Sequence, residues 1–179
     1  RDYLQGTELD MSKDPGAGAH GLPYRWRPLT WKYEDKTYVN ERATVTQQTG
    51  FSFVTQSRNW LPDPIGGILW FGVDDAGTSV YTPIYCGSLR TPETFAVGNG
   101  NLLNYSADAA FWVFNKVANF AYLRYDAMSA DIKKVQKELE NYYATMTPVV
   151  DKAALELYNS NPDEALAFLT KYSVNTANA

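Results

Sequence analysis

The feature that most limits the fold is a change of composition near residue 105. Before it the chain is rich in Gly, Pro, Thr, Trp and Tyr. After it Ala, Leu, Lys and Glu take over, and only Pro148 and Pro162 remain of nine prolines. Aromatic and β-branched residues broken by Gly and Pro favour short strands and turns. A proline-poor stretch of Ala, Leu, Lys and Glu favours helices. Strands therefore come first and helices second, an α+β order. Residues 1–105 are read as a β-rich half with long loops, and residues 106–179 as a helical layer.

In the first half, residues 12–28 hold three glycines and three prolines, so a loop is predicted there. Leu29 to Tyr33 and Thr37 to Asn40 can pair across Glu34-Asp35-Lys36. Phe51 to Gln56 alternates with period two, as a strand does. Ile68 to Val73 is almost continuously apolar, which suits a strand covered on both faces. That demands a layer on each side, and this chain is not expected to supply both. Asp74 to Thr78 is turn chemistry, and Ser79 to Tyr85 returns as a strand. Pro83 cannot donate to a ladder, so the return strand is placed at an edge or at a bulge.

In the second half Ser106 is a candidate N-cap, with Asp108 in the positive first turn. The stretch Ala109 to Tyr125 is apolar around more than half its circumference, which predicts burial between layers. Ser129 is a candidate cap for the next helix. There Ile132, Val135, Leu139, Tyr142, Met146, Val149 and Ala153 form one stripe. Pro148 should kink or break that helix near residue 147. Asn161-Pro162-Asp163-Glu164 starts a last helix, predicted to end near Tyr172 with a frayed tail at 175–179.

Composition excludes several classes of function. At 179 residues the chain can bury roughly 70% of its unfolded surface. Lys plus Arg is 16 and Asp plus Glu is 20, so no basic footprint for nucleic acid is present. The longest apolar runs, such as Ala109 to Phe114, are too short to cross a bilayer as a helix. One Cys and one His rule out a disulfide or a Cys/His zinc cluster within the chain. The first residue is Arg1, with nothing near it like a signal peptide, so a processed product or a piece of a longer protein is expected.

A few residues are candidates for chemistry. Cys86 and His20 are the one possible thiol–imidazole pair, and the simpler reading packs Cys86 as a small hydrophobe. Asp74 and Asp75 lack the further acidic ligands of a calcium loop and read as turn residues. Glu138 and Glu140 read as solvated beside Lys133, Lys134 and Lys137. In Arg25-Trp26-Arg27-Pro28, stacking of Arg on Trp inside a loop is favoured over nucleic-acid contact. Arg58 follows a strand and precedes a Pro-rich turn. It either clamps a substrate carboxylate or caps loop carbonyls.

Six stretches in order carry a resemblance. They are Gly6 to Asp10, Gly21 to Trp26, Thr46 to Phe53, Arg58 to Gly72, Tyr81 to Tyr85 and Ala110 to Asn115. Together they resemble the C-terminal half of the cysteine dipeptidases of the N-terminal-nucleophile superfamily, the dipeptidase-A and secernin-like group. Arg58-Asn-Trp-Leu-Pro-Asp-Pro-Ile-Gly-Gly-Ile-Leu-Trp-Phe-Gly72 is the most specific of the six. The resemblance implies one part of a four-layer αββα sandwich. It implies hydrolysis of dipeptides by an N-terminal Cys, its own α-amino group serving as base, with no metal or other cofactor.

In the family that Cys lies far upstream of the matched region. Residue 1 here is Arg, and Cys86 stands where the family usually has a small residue. The resemblance therefore places no catalytic residue in this chain and makes it inactive alone. Its partners would be the missing N-terminal half of the same protein and dipeptide substrates, with no nucleic acid or membrane. Arg58 is the one substrate-binding candidate, by analogy with substrate-side arginines of related amidases. The alternative function is a non-catalytic packing or binding domain, motivated by 8 Phe, 5 Trp and 13 Tyr.

Overall fold

A computed structural model describes residues 7–8, 10–13, 15–23, 30–39 and 45–179. Its strands are β1 (Thr30–Tyr33), β2 (Lys36–Val39), β3 (Phe51–Ser57), β4 (Gly67–Val73) and β5 (Thr82–Tyr85). A single turn, α1 (Asp63–Gly66), separates β3 from β4. The long helices are α2 (Ala110–Ala121), α3 (Tyr125–Ser160) and α4 (Pro162–Asn178). Short 3-10 turns occupy Met11–Lys13, Pro15–His20 and Glu93–Phe95.

β1 and β2 form a two-stranded antiparallel hairpin. Glu34 and Asp35 both have positive φ, 46° and 60°, which a two-residue turn matched to strand twist requires. The turn is thus one residue shorter than the spacing predicted. The predicted strand residues Leu29 and Asn40 lie outside the described residues, as does Arg25-Trp26-Arg27-Pro28.

β3, β4 and β5 form an antiparallel sheet in that order, with Phe53 opposite Phe71 and Leu69 opposite Ile84. One face carries Ile68, Trp70 and Tyr85, and α3 and α4 cover it. Ile65, Ile68, Tyr85, Val150, Ala154 and Leu169 make the main core there. The other face carries Phe51, Phe53, Leu69, Phe71 and Ile84. Phe51 and Phe53 are 59% and 54% exposed, and their rings stack with centroids 6.4 Å apart. Helices therefore cover one face of β4, and its apolar run has only part of the second layer that both-face burial needs.

β5 is an edge strand, as Pro83 requires, and begins at Thr82 rather than Ser79. Its outward donors are all accounted for. The Tyr81 amide donates to Glu140 Oε1 at 3.1 Å, and the Tyr85 amide to Ser173 Oγ at 3.0 Å. Pro83 has no N–H. Side chains and a proline thus close this edge to further pairing. Glu140 consequently leaves the solvated role predicted for it, while Glu138 is exposed.

The helices depart from their predicted boundaries for identifiable reasons. Ser106 is not the cap of α2: its hydroxyl donates to Asn99 Oδ1 at 2.6 Å and accepts from the Asp108 amide at 3.3 Å, in a turn that precedes the helix. The helix starts four residues later, with no side-chain cap. Ala110, Ala118 and Ala121 are buried, but Val113, Val117 and Phe120 are exposed, so α2 is covered on one side only. Ser129 lies inside α3, which runs unbroken for 36 residues. Pro148 sits within it on the exposed side, while Thr147 and Val150 beside it are buried. That packing holds the helix through the missing hydrogen bond.

The buried stripe of α3 is Gln136, Tyr143, Thr147, Val150 and Ala154. It lies one residue round from the predicted apolar stripe, of which Val135, Leu139, Tyr142 and Val149 are exposed. Val135 and Leu139 instead line a groove of about 650 Å³ with Val113 and Val117 of α2. α4 starts as predicted, with the Asn161 side chain accepting from the Glu164 amide. It continues past Tyr172 to Asn178, because its end is tied down. Thr94 Oγ1 donates to the Ala177 carbonyl at 3.1 Å, and Asn178 Nδ2 to Glu93 Oε2 at 2.6 Å.

Candidate functional site

Two buried polar centres stand at opposite ends of β4. The first is built on Arg58, just after β3 and 6% exposed. The chain turns back there through Leu61-Pro62, and the Arg58 amide donates to the Gly66 carbonyl at 3.0 Å. Each nitrogen of its guanidinium makes a bond. Nε donates to the Gly66 carbonyl at 3.2 Å, Nη2 to the Ile65 carbonyl at 2.6 Å, and Nη1 pairs with Asp151 of α3. The Tyr85 hydroxyl donates to the other Asp151 oxygen at 2.7 Å, and the Arg58 guanidinium lies 5.9 Å from the Tyr85 ring centre. Burial, then the Asp151 carboxylate, push the Tyr85 phenol far above its usual range. The contacts of Arg58 are those of the carbonyl-capping role weighed for it, with one addition that sequence spacing did not reveal. Asp151 is 93 residues away along the chain.

The second centre is the turn after β4. Asp74 adopts φ 62°, a left-handed conformation that Asp tolerates better than most residues. Its Oδ1 accepts from Asn115 Nδ2 of α2 at 3.2 Å, while Oδ2 is buried with no hydrogen-bond partner. Asp75 is fully buried and accepts from the Gly77 amide at 3.0 Å and the Thr78 hydroxyl at 3.3 Å. Gln136 of α3 donates from Nε2 to the Gly77 and Ser79 carbonyls at 2.9 and 2.7 Å. Desolvation raises both aspartates above the ordinary carboxylate value. The turn was evident in the sequence; its burial between two helices was not, because the gripping residues lie about 40 and 60 positions away.

The Asp74 shift has a measurable sign. Below the unfolded value, about 3.9, both states are protonated and burial carries no charge penalty. As pH rises from there through the raised folded value, the folded state retains the proton longer and stability falls. Asp74→Asn should remove this contribution, so the difference in unfolding free energy between pH 7 and pH 4 should shift in favour of pH 7. Urea titrations at the two pH values measure this. An unchanged difference would mean that Asp74 ionises inside the fold without cost.

Cys86 and His20 are not brought together. Cys86 is exposed rather than packed inside; its amide donates to the Gly67 carbonyl at 2.9 Å, at the start of β4. His20 Nδ1 donates to the Leu123 carbonyl at 2.8 Å, just past the end of α2. Tyr122, beside Leu123, reaches Asp75 beyond the far end of β4. A seven-residue strand, roughly 23 Å long, thus separates the two neighbourhoods. Among the described residues no group of three or more His, Cys, Asp or Glu could hold a metal ion. No helix of the described residues is long and apolar enough to cross a membrane. Both polar centres tie the sheet to the helices; they do not present a nucleophile beside a base.

A family model described as peptidase family C69 matches residues 1–138. The chain is similar to a protein named probable dipeptidase from Latilactobacillus sakei, with 26% identity over 129 residues. That alignment covers 72% of this chain and 26% of the relative, so the chain spans about a quarter of the length of the curated relative it matches. No solved structure matches.

Proposed function

The chain belongs to peptidase family C69, and on that footing we propose that it is part of a dipeptidase whose nucleophile lies in polypeptide outside this chain. The observation that carries the reading is the family match, which runs through every strand and into α3. The probable dipeptidase relative supports dipeptides as the substrate class.

In this proposal an N-terminal Cys thiolate attacks the carbonyl of the dipeptide. Its own α-amino group takes the thiol proton and passes it to the leaving amine, and water then releases the second amino acid. No metal enters the scheme. The residues of this chain act as framework: α3 and α4 back one face of the sheet, and the Phe51–Phe53–Leu69–Phe71–Ile84 face awaits a second layer. That arrangement supports the four-layer αββα sandwich as the complete fold. The same exposed aromatics support the alternative of a non-catalytic packing domain, for which the face would be the binding surface.

Incubating the 179-residue chain with a dipeptide panel should give no turnover above buffer. The full-length polypeptide of the parent reading frame should hydrolyse dipeptides, and replacing its N-terminal Cys should abolish that activity. Turnover by this chain alone, lost on Cys86→Ser, would overturn the placement of the nucleophile. A folded full-length protein without amidase activity would favour the packing domain.

A further inference from the structure

The two edges of the three-stranded sheet are built differently. Glu140, Pro83 and Ser173 leave no donor free along the outer side of β5. The outer side of β3 has no such closure. The Arg58 amide donates to the Gly66 carbonyl and the Asp74 amide to the Gly50 carbonyl, which fixes the phase of the β3–β4 ladder. Ser52, Val54 and Gln56 therefore bond β4, and the amides of Phe51, Phe53, Thr55 and Ser57 point away from it. No described residue pairs with these four. The strand Phe-Ser-Phe-Val-Thr-Gln-Ser carries no charge and no proline to guard the edge, and all of it except Ser52 is exposed.

An edge of this kind selects its occupant by main-chain chemistry. Unpaired N–H and C=O groups at a two-residue repeat fit an extended strand and do not fit a helix. A second copy of this chain meets that need only in part. In an antiparallel β3–β3 pair Phe51 lies opposite Ser57 and Phe53 opposite Thr55, and paired residues share a face. The aromatic face of both copies then lies on one side, doubled in width and still uncovered. Further polypeptide of the same protein can supply both an edge strand and a cover. The chain spans about a quarter of its curated relative, so such polypeptide is available in a protein of that length.

We propose that the free edge of β3 receives a strand from the part of the parent polypeptide outside this chain, paired through Phe51, Phe53, Thr55 and Ser57. This rests on the reading that the chain is part of a larger peptidase.

Amide exchange, residue by residue, tests it in the 179-residue chain and in the full-length polypeptide. In the chain alone, Phe51, Phe53, Thr55 and Ser57 should exchange within about tenfold of the free rate, while Ser52, Val54 and Gln56 are protected. In the full-length polypeptide the first four should slow by about 100-fold or more. Thr55→Pro removes only an outward donor. It should spare the inner protection in the chain alone and abolish the protection of Phe51, Phe53 and Ser57 in the full-length protein. Val54→Pro, the control, should disrupt the inner ladder in both.

Outward amides that stay fast in the full-length protein would overturn the proposal. So would protection in the chain alone that rises with concentration while the sedimenting mass doubles, which would assign the edge to a second copy. Hydrolysis is not the readout. Protection without dipeptidase activity would retire the peptidase reading alone, and activity with an unprotected edge would retire only the strand.

Discussion

Asp151→Ala should destabilise the chain by about 3–5 kcal/mol, the largest loss expected from a single substitution here. The change strands two buried groups at once. Arg58 keeps its charge, buried, with only the Ile65 and Gly66 carbonyls to hold it. The Tyr85 hydroxyl loses its 2.7 Å acceptor and keeps only the longer 3.4 Å contact to the Thr147 carbonyl. Removing both charges together, as Arg58→Met with Asp151→Leu, should recover much of the loss, because a buried pair contributes little beyond what apolar packing supplies. It should not recover all of it, since the Ile65 carbonyl then lacks its donor. Denaturant midpoints of the single and double variants measure this. A double variant no better than Asp151→Ala would place the energy in the hydrogen bonds and not in the charge pair.

Gln136→Leu should cost about 2–4 kcal/mol, although it preserves the size of the side chain. Gln136 is 3% exposed on a stretch of α3 where the neighbouring Val135 and Leu139 are exposed. Its Nε2 satisfies two carbonyls of the turn after β4, at Gly77 and Ser79. Leucine can make neither bond. Near-native stability in Gln136→Leu would mean that water reaches both carbonyls. The predicted loss should show as faster amide exchange at residues 77–80 as well as a lower midpoint.

Much of the strand layout was readable because it depends on neighbours in sequence. Alternation marked Phe51 to Gln56, and the structure adds only Ser57. Pro83 limited its strand to an edge or a bulge through chemistry it carries itself, and the structure has the edge. Asn161-Pro162 likewise announced α4 within a few residues. The errors share another cause. Ser106 is a sound cap whose hydroxyl holds the Asp108 amide in a turn that ends before α2 begins. Pro148 is a helix breaker overruled by packing on the opposite side. The apolar stripe of α3 suggested its buried face, but that face also carries Gln136 and Thr147, which donate to the carbonyls of the turn after β4 and to the Tyr143 carbonyl of α3 itself, bonds that hydrophobicity does not register. The site shows the same divide. Arg58 stood out from its local setting. Asp151, Asn115 and Gln136, which complete the two polar centres, are visible only once the chain has folded back on itself.

The distance between those centres carries a consequence of its own. Gln136 and Asp151 are fifteen residues apart on α3, about 22 Å along the helix axis. The seven residues of β4 measure roughly 23 Å. One rigid rod thus grips the strand just beyond each end and acts as a gauge of its length. A residue inserted in β4 or deleted from this stretch of α3 could satisfy one grip only by missing the other. The segment between Gly66 and Gly77 should therefore resist length changes that the neighbouring loops absorb, and the two ends should let go together when the chain unfolds.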